Sequence, residues 1–153
     1  MIPIQKFDSQ LGISPEYIEI ELHSTRTAAD AAHALGTELG NILKSLVFIA
    51  DDKPIVIFIS GSKKANIELI KKQLGVNALR LANADEVKVH TGFSIGVVPP
   101  YGHGLKAYLD ESLLENEYVF YATGYESWLA KIKPLLLAKA CNAAKLAVQE
   151  LSC

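Results

Sequence analysis

The chain carries no strong charge bias: 15 lysines and arginines against 17 acidic residues leave a formal net charge of −2 over 153 residues. That excludes an overall basic field, so a nucleic-acid partner would have to be met by a local patch. Cysteine is scarce. Cys141 and Cys153 have no CxxC or CxxH neighbour, which argues against zinc and leaves a reducing compartment as the default. Cys141 reads as buried and Cys153 as part of a frayed end. The four histidines, His23, His33, His90 and His103, fall at no metal-ligand spacing. There is no G-x-S-x-G elbow, no H-E-x-x-H and no Walker-type glycine loop. No apolar run reaches membrane-spanning length, and the first residues lack the apolar core of a secretory signal. The expectation is a cytoplasmic protein, one domain over residues 1–153, with no repeat or linker.

What is present is half apolar sequence with clear periodicity. Residues 17–22 alternate apolar and acidic side chains, as a half-buried strand does. Thr27 and Gly36 bracket a short alanine-rich helix over residues 28–35. Residues 42–50 and 54–60 are almost wholly apolar and predict two strands of a sheet covered on both faces, joined by a hairpin at residues 51–53. Residues 63–74 predict an amphipathic helix ending at Gly75, with Lys63, Lys64, Lys71 and Lys72 on its polar side. A short strand at 78–81 and a short helix at 83–87 follow. Strands are expected at 105–109 and 117–123, with a turn from Asp110 to Leu113 between them. Residues 126–132 read as strand or loop. Pro134 opens a last helix running to about Leu151. The order predicts an α+β or mixed α/β fold, with one central mixed sheet flanked by helices.

Between these elements lies the most unusual stretch, residues 91–104, with four of the ten glycines and two of the six prolines. It cannot be helical. It reads either as a tight connection between strands or as a rigid loop whose free N–H groups receive an anion or a carbonyl oxygen. Two other features could bear on chemistry. Lys44 interrupts an apolar strand, either snorkelling at its edge or presenting a cation to a cleft. The four lysines at 63–72 are either a solvated face or the best local phosphate-facing patch. His103, inside the glycine stretch, could orient a water or a hydroxyl. Ser45 beside Lys44 is not a Ser–Lys dyad, because strand neighbours point to opposite faces. A lysine on a rigid strand and a glycine–proline loop together suit stabilisation of an acyl oxyanion without a covalent nucleophile.

These motifs resemble the YbaK/EbsC-like family of aminoacyl-tRNA editing domains from about Thr25 to the last helix. Thr27-Ala-Ala-Asp-Ala-Ala32 is similar to its alanine-rich first helix. Ile42-Leu-Lys44-Ser45-Leu-Val-Phe48 is similar to its I-x-K-S/T-L-x-F strand. Gly96-Val-Val-Pro-Pro100, followed by Tyr101-Gly102-His103, fits its G-x-x-x-P loop. The resemblance implies an α+β editing-domain fold and hydrolysis of the ester joining a mischarged amino acid to the terminal adenosine of a tRNA. It implies catalytic roles for Lys44, Gly96 and Pro100, with Gly96 as the key donor and Pro100 fixing the loop. Substrate contacts are implied for Ser45, Val97, Val98, Gly102, His103 and Gly124. Many members have a second glycine where this chain has Val97. Near Gly124 some carry a histidine or aspartate where this chain has Tyr125 and Glu126. The implied partners are the aminoacyl-tRNA acceptor end and prolyl-tRNA synthetase, with no metal and no cofactor. The implied amino acids are Ala, Cys, Ser and Thr; oligomeric state is left open. The alternative is a non-catalytic module binding a nucleotide or a protein at the same pocket.

Overall fold

The structure, a computed structural model, describes residues 2–21 and 27–149. Its elements run α1 (Gln5–Leu11), β1 (Glu16–Glu19), α2 (Ala28–Leu35), β2 (Leu43–Ala50), β3 (Lys53–Ser60), α3 (Ile67–Leu74), β4 (Leu79–Leu81), α4 (Ala84–Thr91), β5 (Lys106–Asp110), β6 (Val119–Ala122), β7 (Trp128–Ile132), α5 (Pro134–Ala140) and β8 (Ala144–Leu146). The fold is α+β. The expected central mixed sheet has five strands in the order β4-β2-β3-β5-β8, antiparallel at β4-β2-β3 and parallel at β3-β5-β8. A second, antiparallel sheet of three strands, β1-β7-β6, lies beside it and was not foreseen.

β3 is buried on both faces, as its apolar run predicts. Ile55, Ile57 and Ile59 pack with Phe48, Ile70 and Leu146, while Val56 and Phe58 pack with Leu43, Leu109, Tyr121 and Leu137 on the other side. The hairpin turn is two residues rather than three. Asp51 and Asp52 both hold positive φ, 45° and 66°, which gives the turn the twist of the flanking strands, and Lys53 already pairs with Ala50.

Several boundaries differ from expectation. β1 ends at Glu19, although Ile20 still donates its N–H to the Ser127 carbonyl; Leu22 lies outside the described residues. α3 starts at Ile67, not at residue 63, because the Asn66 side chain accepts from Leu69 N–H and caps it there. Lys63 and Lys64 therefore precede the helix, and the four lysines do not share one helical face. α4 starts where expected, at a full capping box of Asn83 and Glu86, but runs on to Thr91, where left-handed Gly92 ends it. Residues 128–132 are a strand. α5 stops at Ala140, with Asn142 at φ 49°, and the chain then adds β8 to the sheet edge instead of continuing to Leu151. Leu151 and Cys153 lie outside the described residues. Cys141 is partly buried rather than buried.

Candidate functional site

The site begins with an interruption in a ladder of hydrogen bonds. β2 is paired with β3 along its whole length. On its other edge, β4 covers Phe48, Ile49 and Ala50, and an isolated bridge joins Ile42 to Phe120 of β6. Between these two contacts, no strand among the described residues pairs with residues 44–46. The Val47 carbonyl on that edge accepts from Ala82 N–H at 3.0 Å. Backbone groups face the same edge at every second residue, so Ser45 presents its N–H and C=O there too.

A cavity of about 520 Å³ fills the interruption. Its lining comes from β2, from the first turn of α2 (Thr27, Ala28, Ala29), from Ala82 and Val87, from Gly96 and Val98, and from Phe120 and Tyr121. Among the described residues lining it, Lys44 is the charged one and none is acidic. Apart from the hydroxyls of Thr27, Ser45 and Tyr121 the wall side chains are apolar, which strengthens any electrostatic contact made inside. Exposed Leu81 and Ile95 line it as well.

Four of the residues singled out in the sequence meet at this cavity: Lys44, Ser45, Gly96 and Val98. The Lys44 ammonium donates to the Lys63 carbonyl at 3.1 Å, and burial lowers its pKa. Ser45 Oγ is buried and meets no hydrogen-bond partner. The glycine–proline loop turns at Ser94–Ile95–Gly96–Val97, closed by Val97 N–H to Ser94 O at 3.2 Å. Gly96 holds φ 91° at the third position of that turn, where a side chain would strain the backbone. Because Val97 N–H is taken, Gly96 and Val98 are the loop's candidate donors into the cavity.

The other predicted residues do not line it. Pro100 and Gly102 lie further along the loop, where a Cβ on Gly102 would come within 3.1 Å of the Phe7 ring. His103 braces the loop. Its Nδ1 accepts from Leu105 N–H at 3.2 Å, so the proton sits on Nε2, which donates to the Pro99 carbonyl at 3.1 Å. Burial lowers its pKa, which favours this neutral form. Gly124 makes room for Phe93, whose ring would stand 2.7 Å from an added Cβ. Lys63, Lys64, Lys71 and Lys72 also lie outside the lining; Lys63 instead donates to Ser112 Oγ at 2.6 Å and lies 3.9 Å from buried Asp110. Sequence reasoning missed Tyr121 and the first turn of α2. The former lies within a strand expected from its apolar run and the latter marks a helix start, and neither pattern points to a cavity.

A family model described as an aminoacyl-tRNA editing domain matches residues 23–140. Among solved structures, a candidate trans-editing enzyme for prolyl tRNA synthetase has a TM-score of 0.87 at 36% identity, covering 96% of this chain and 94% of that one. The uncharacterized protein YwhH of Bacillus subtilis is 34% identical over 119 residues, 76% of this chain and 75% of its own. A proline--tRNA ligase of Nitratidesulfovibrio vulgaris is 29% identical over 100 residues, 65% of this chain but 17% of the ligase. The chain thus spans a small part of the ligases it matches.

Proposed function

Because the chain belongs to the aminoacyl-tRNA editing domain family, we propose that it hydrolyses the ester of a mischarged aminoacyl-tRNA in trans. The proposed substrate is tRNA(Pro) carrying Ala, Cys, Ser or Thr, with prolyl-tRNA synthetase as partner and the cytoplasm as place of action. The observation that carries this reading is the convergence of Lys44 and the Gly96 turn on one apolar cavity. Its volume, about 520 Å³, suits a terminal aminoacyl-adenosine and excludes the rest of a tRNA.

In this reading the ester carbonyl oxygen is received by the Gly96 and Val98 N–H groups, which gain strength as negative charge develops on it. The Lys44 ammonium contacts the terminal adenosine or its phosphate and helps to orient the ester. Water adds to the carbonyl carbon, the ribose hydroxyl assisting. The bond from that carbon to the ribose oxygen breaks and the ribose oxygen takes a proton, releasing the amino acid and the tRNA. Pro100 acts from outside the cavity by fixing the loop.

The test is a panel of mischarged tRNAs with wild-type protein and Lys44→Met, which keeps the stem and removes the charge. The expected result is turnover of at least one small-amino-acid ester and a loss of about 10²-fold in the variant. Binding of aminoacyl-tRNA with no hydrolysis of any ester would instead establish the non-catalytic reading.

A further inference from the structure

The family match begins at residue 23, so α1 and β1 fall outside it, yet these two elements hold the glycine–proline loop from behind. Tyr17 on β1 donates its hydroxyl to Asp8 Oδ2 at 2.6 Å. Tyr101, next to Pro100, donates to Asp8 Oδ1 at 2.8 Å. The Tyr101 and Tyr121 hydroxyl oxygens lie 2.9 Å apart, with the rings edge to face at 5.8 Å. A phenol has one proton. Tyr101 gives its proton to Asp8, so Tyr121 must be the donor to Tyr101. Every proton is then assigned: Tyr121 to Tyr101, Tyr101 to Asp8, and Tyr17 to the second carboxylate oxygen.

Burial raises the pKa of all three phenols, so each keeps the proton it donates. The chain joins two parts of the site. Tyr121 is in the cavity wall, and Tyr101 fixes the end of the loop that carries Gly96. Phe7 of α1 packs against Gly102, next to Tyr101 at the same end of the loop. Phenylalanine at 101 and 121 would satisfy the packing alone. The hydroxyls add direction, because bonds to a carboxylate are short and angularly demanding.

We propose that Asp8 is a positioning residue for the reaction, acting through Tyr101 and Tyr121 to hold the Gly96 turn and the facing cavity wall in register. This rests on the reading of the Gly96 turn as the carbonyl-holding element. Without an acceptor oxygen at position 8, the Tyr101 hydroxyl loses its partner there and the loop loses one of its anchors, the His103 brace remaining, while Lys44 and the cavity opening are unchanged.

The experiment compares wild type with Tyr101→Phe, Asp8→Ala and Asp8→Asn. Asn keeps one acceptor oxygen for a tyrosine and is the conservative rescue. Turnover of mischarged tRNA is measured together with amide exchange at Gly96 and Val98. Tyr101→Phe and Asp8→Ala are expected to lower kcat by about 10- to 100-fold with KM within about twofold, since misplacement of reacting groups is felt in the chemical step. Exchange at Gly96 and Val98 rises in both, and Asp8→Asn recovers most of kcat. Unchanged kcat and unchanged exchange in Tyr101→Phe would overturn the proposal. So would a kcat loss in Asp8→Ala that Asn fails to recover while both variants remain folded. A wild type that hydrolyses no ester refutes the proposed function, and loop exchange in Tyr101→Phe then still decides whether the network holds the loop.

Discussion

Alanine at Gly96 separates a structural loop from a working one. The Gly96 φ of 91° lies where side chains are strained, yet no atom stands within 4 Å of an added Cβ. The cost is therefore backbone strain alone, about 1–2 kcal/mol. Gly75 supplies the control. It too has positive φ, 67°, and open space around an added Cβ, but its N–H is tied to the Lys71 carbonyl at the end of α3 and it is outside the cavity lining. Held by its helix, Gly75→Ala cannot relax. It should lower Tm by about 2–8 °C in a chain of this size and leave turnover as it was. Gly96→Ala sits in an exposed turn that can relax. It should cost less in Tm than Gly75→Ala, because the turn shifts, and that shift withdraws the Gly96 or Val98 donor. Losing one such donor costs about 10²–10³-fold in kcat. Deacylation rates and thermal melts of the two variants side by side give the answer. If Gly96→Ala retains full turnover, or if its turnover falls only in proportion to its stability, the turn is a connection and not a carbonyl holder.

Two further outcomes follow from buried ionisable groups. Burial disfavours the Lys44 ammonium, so a rate that depends on that charge should fall with rising pH before the ordinary lysine range. Stability should move the opposite way: the unfolded chain binds this proton more tightly, so stability rises with pH between the folded and unfolded pKa values. Lys44→Met should remove both trends, and rate–pH and melt–pH profiles read them. Burial pushes the Cys141 thiol up to about 12. At pH 8 alkylation of Cys141, followed by peptide mass spectrometry, should be about 10³-fold slower in the folded protein than in denaturant. Equal rates would show the thiol to be open to solvent.

Local signals in the sequence carried the elements whose ends are set locally. Thr27 and Gly36 bracket α2 because one side-chain acceptor and one left-handed residue suffice for the two ends. The two aspartates of the β2–β3 turn are likewise a short-range signal. α5 misled because residues 144–148 continue a spacing that a helix could use, while the stop depends on left-handed Asn142 and on β5 offering an edge to β8. The start of α3 was misplaced because Lys63 and Lys64 extend its polar face, whereas Asn66 caps the helix and its N–H is drawn to the Val148 carbonyl. At the cavity, Lys44 and Gly96 are legible because each breaks its local pattern. Tyr121 and the first turn of α2 obey theirs, and only tertiary contact brings them to the cavity.

The interruption beside residues 44–46 has a colloidal consequence as well. An uncovered length of strand flanked by exposed Leu39, Leu81 and Ile95 is a template for another chain to add to. Strand addition by a second chain would therefore compete for the same edge as a ligand of the candidate site. A molecule lodged there shields that edge, so occupancy and solubility are coupled.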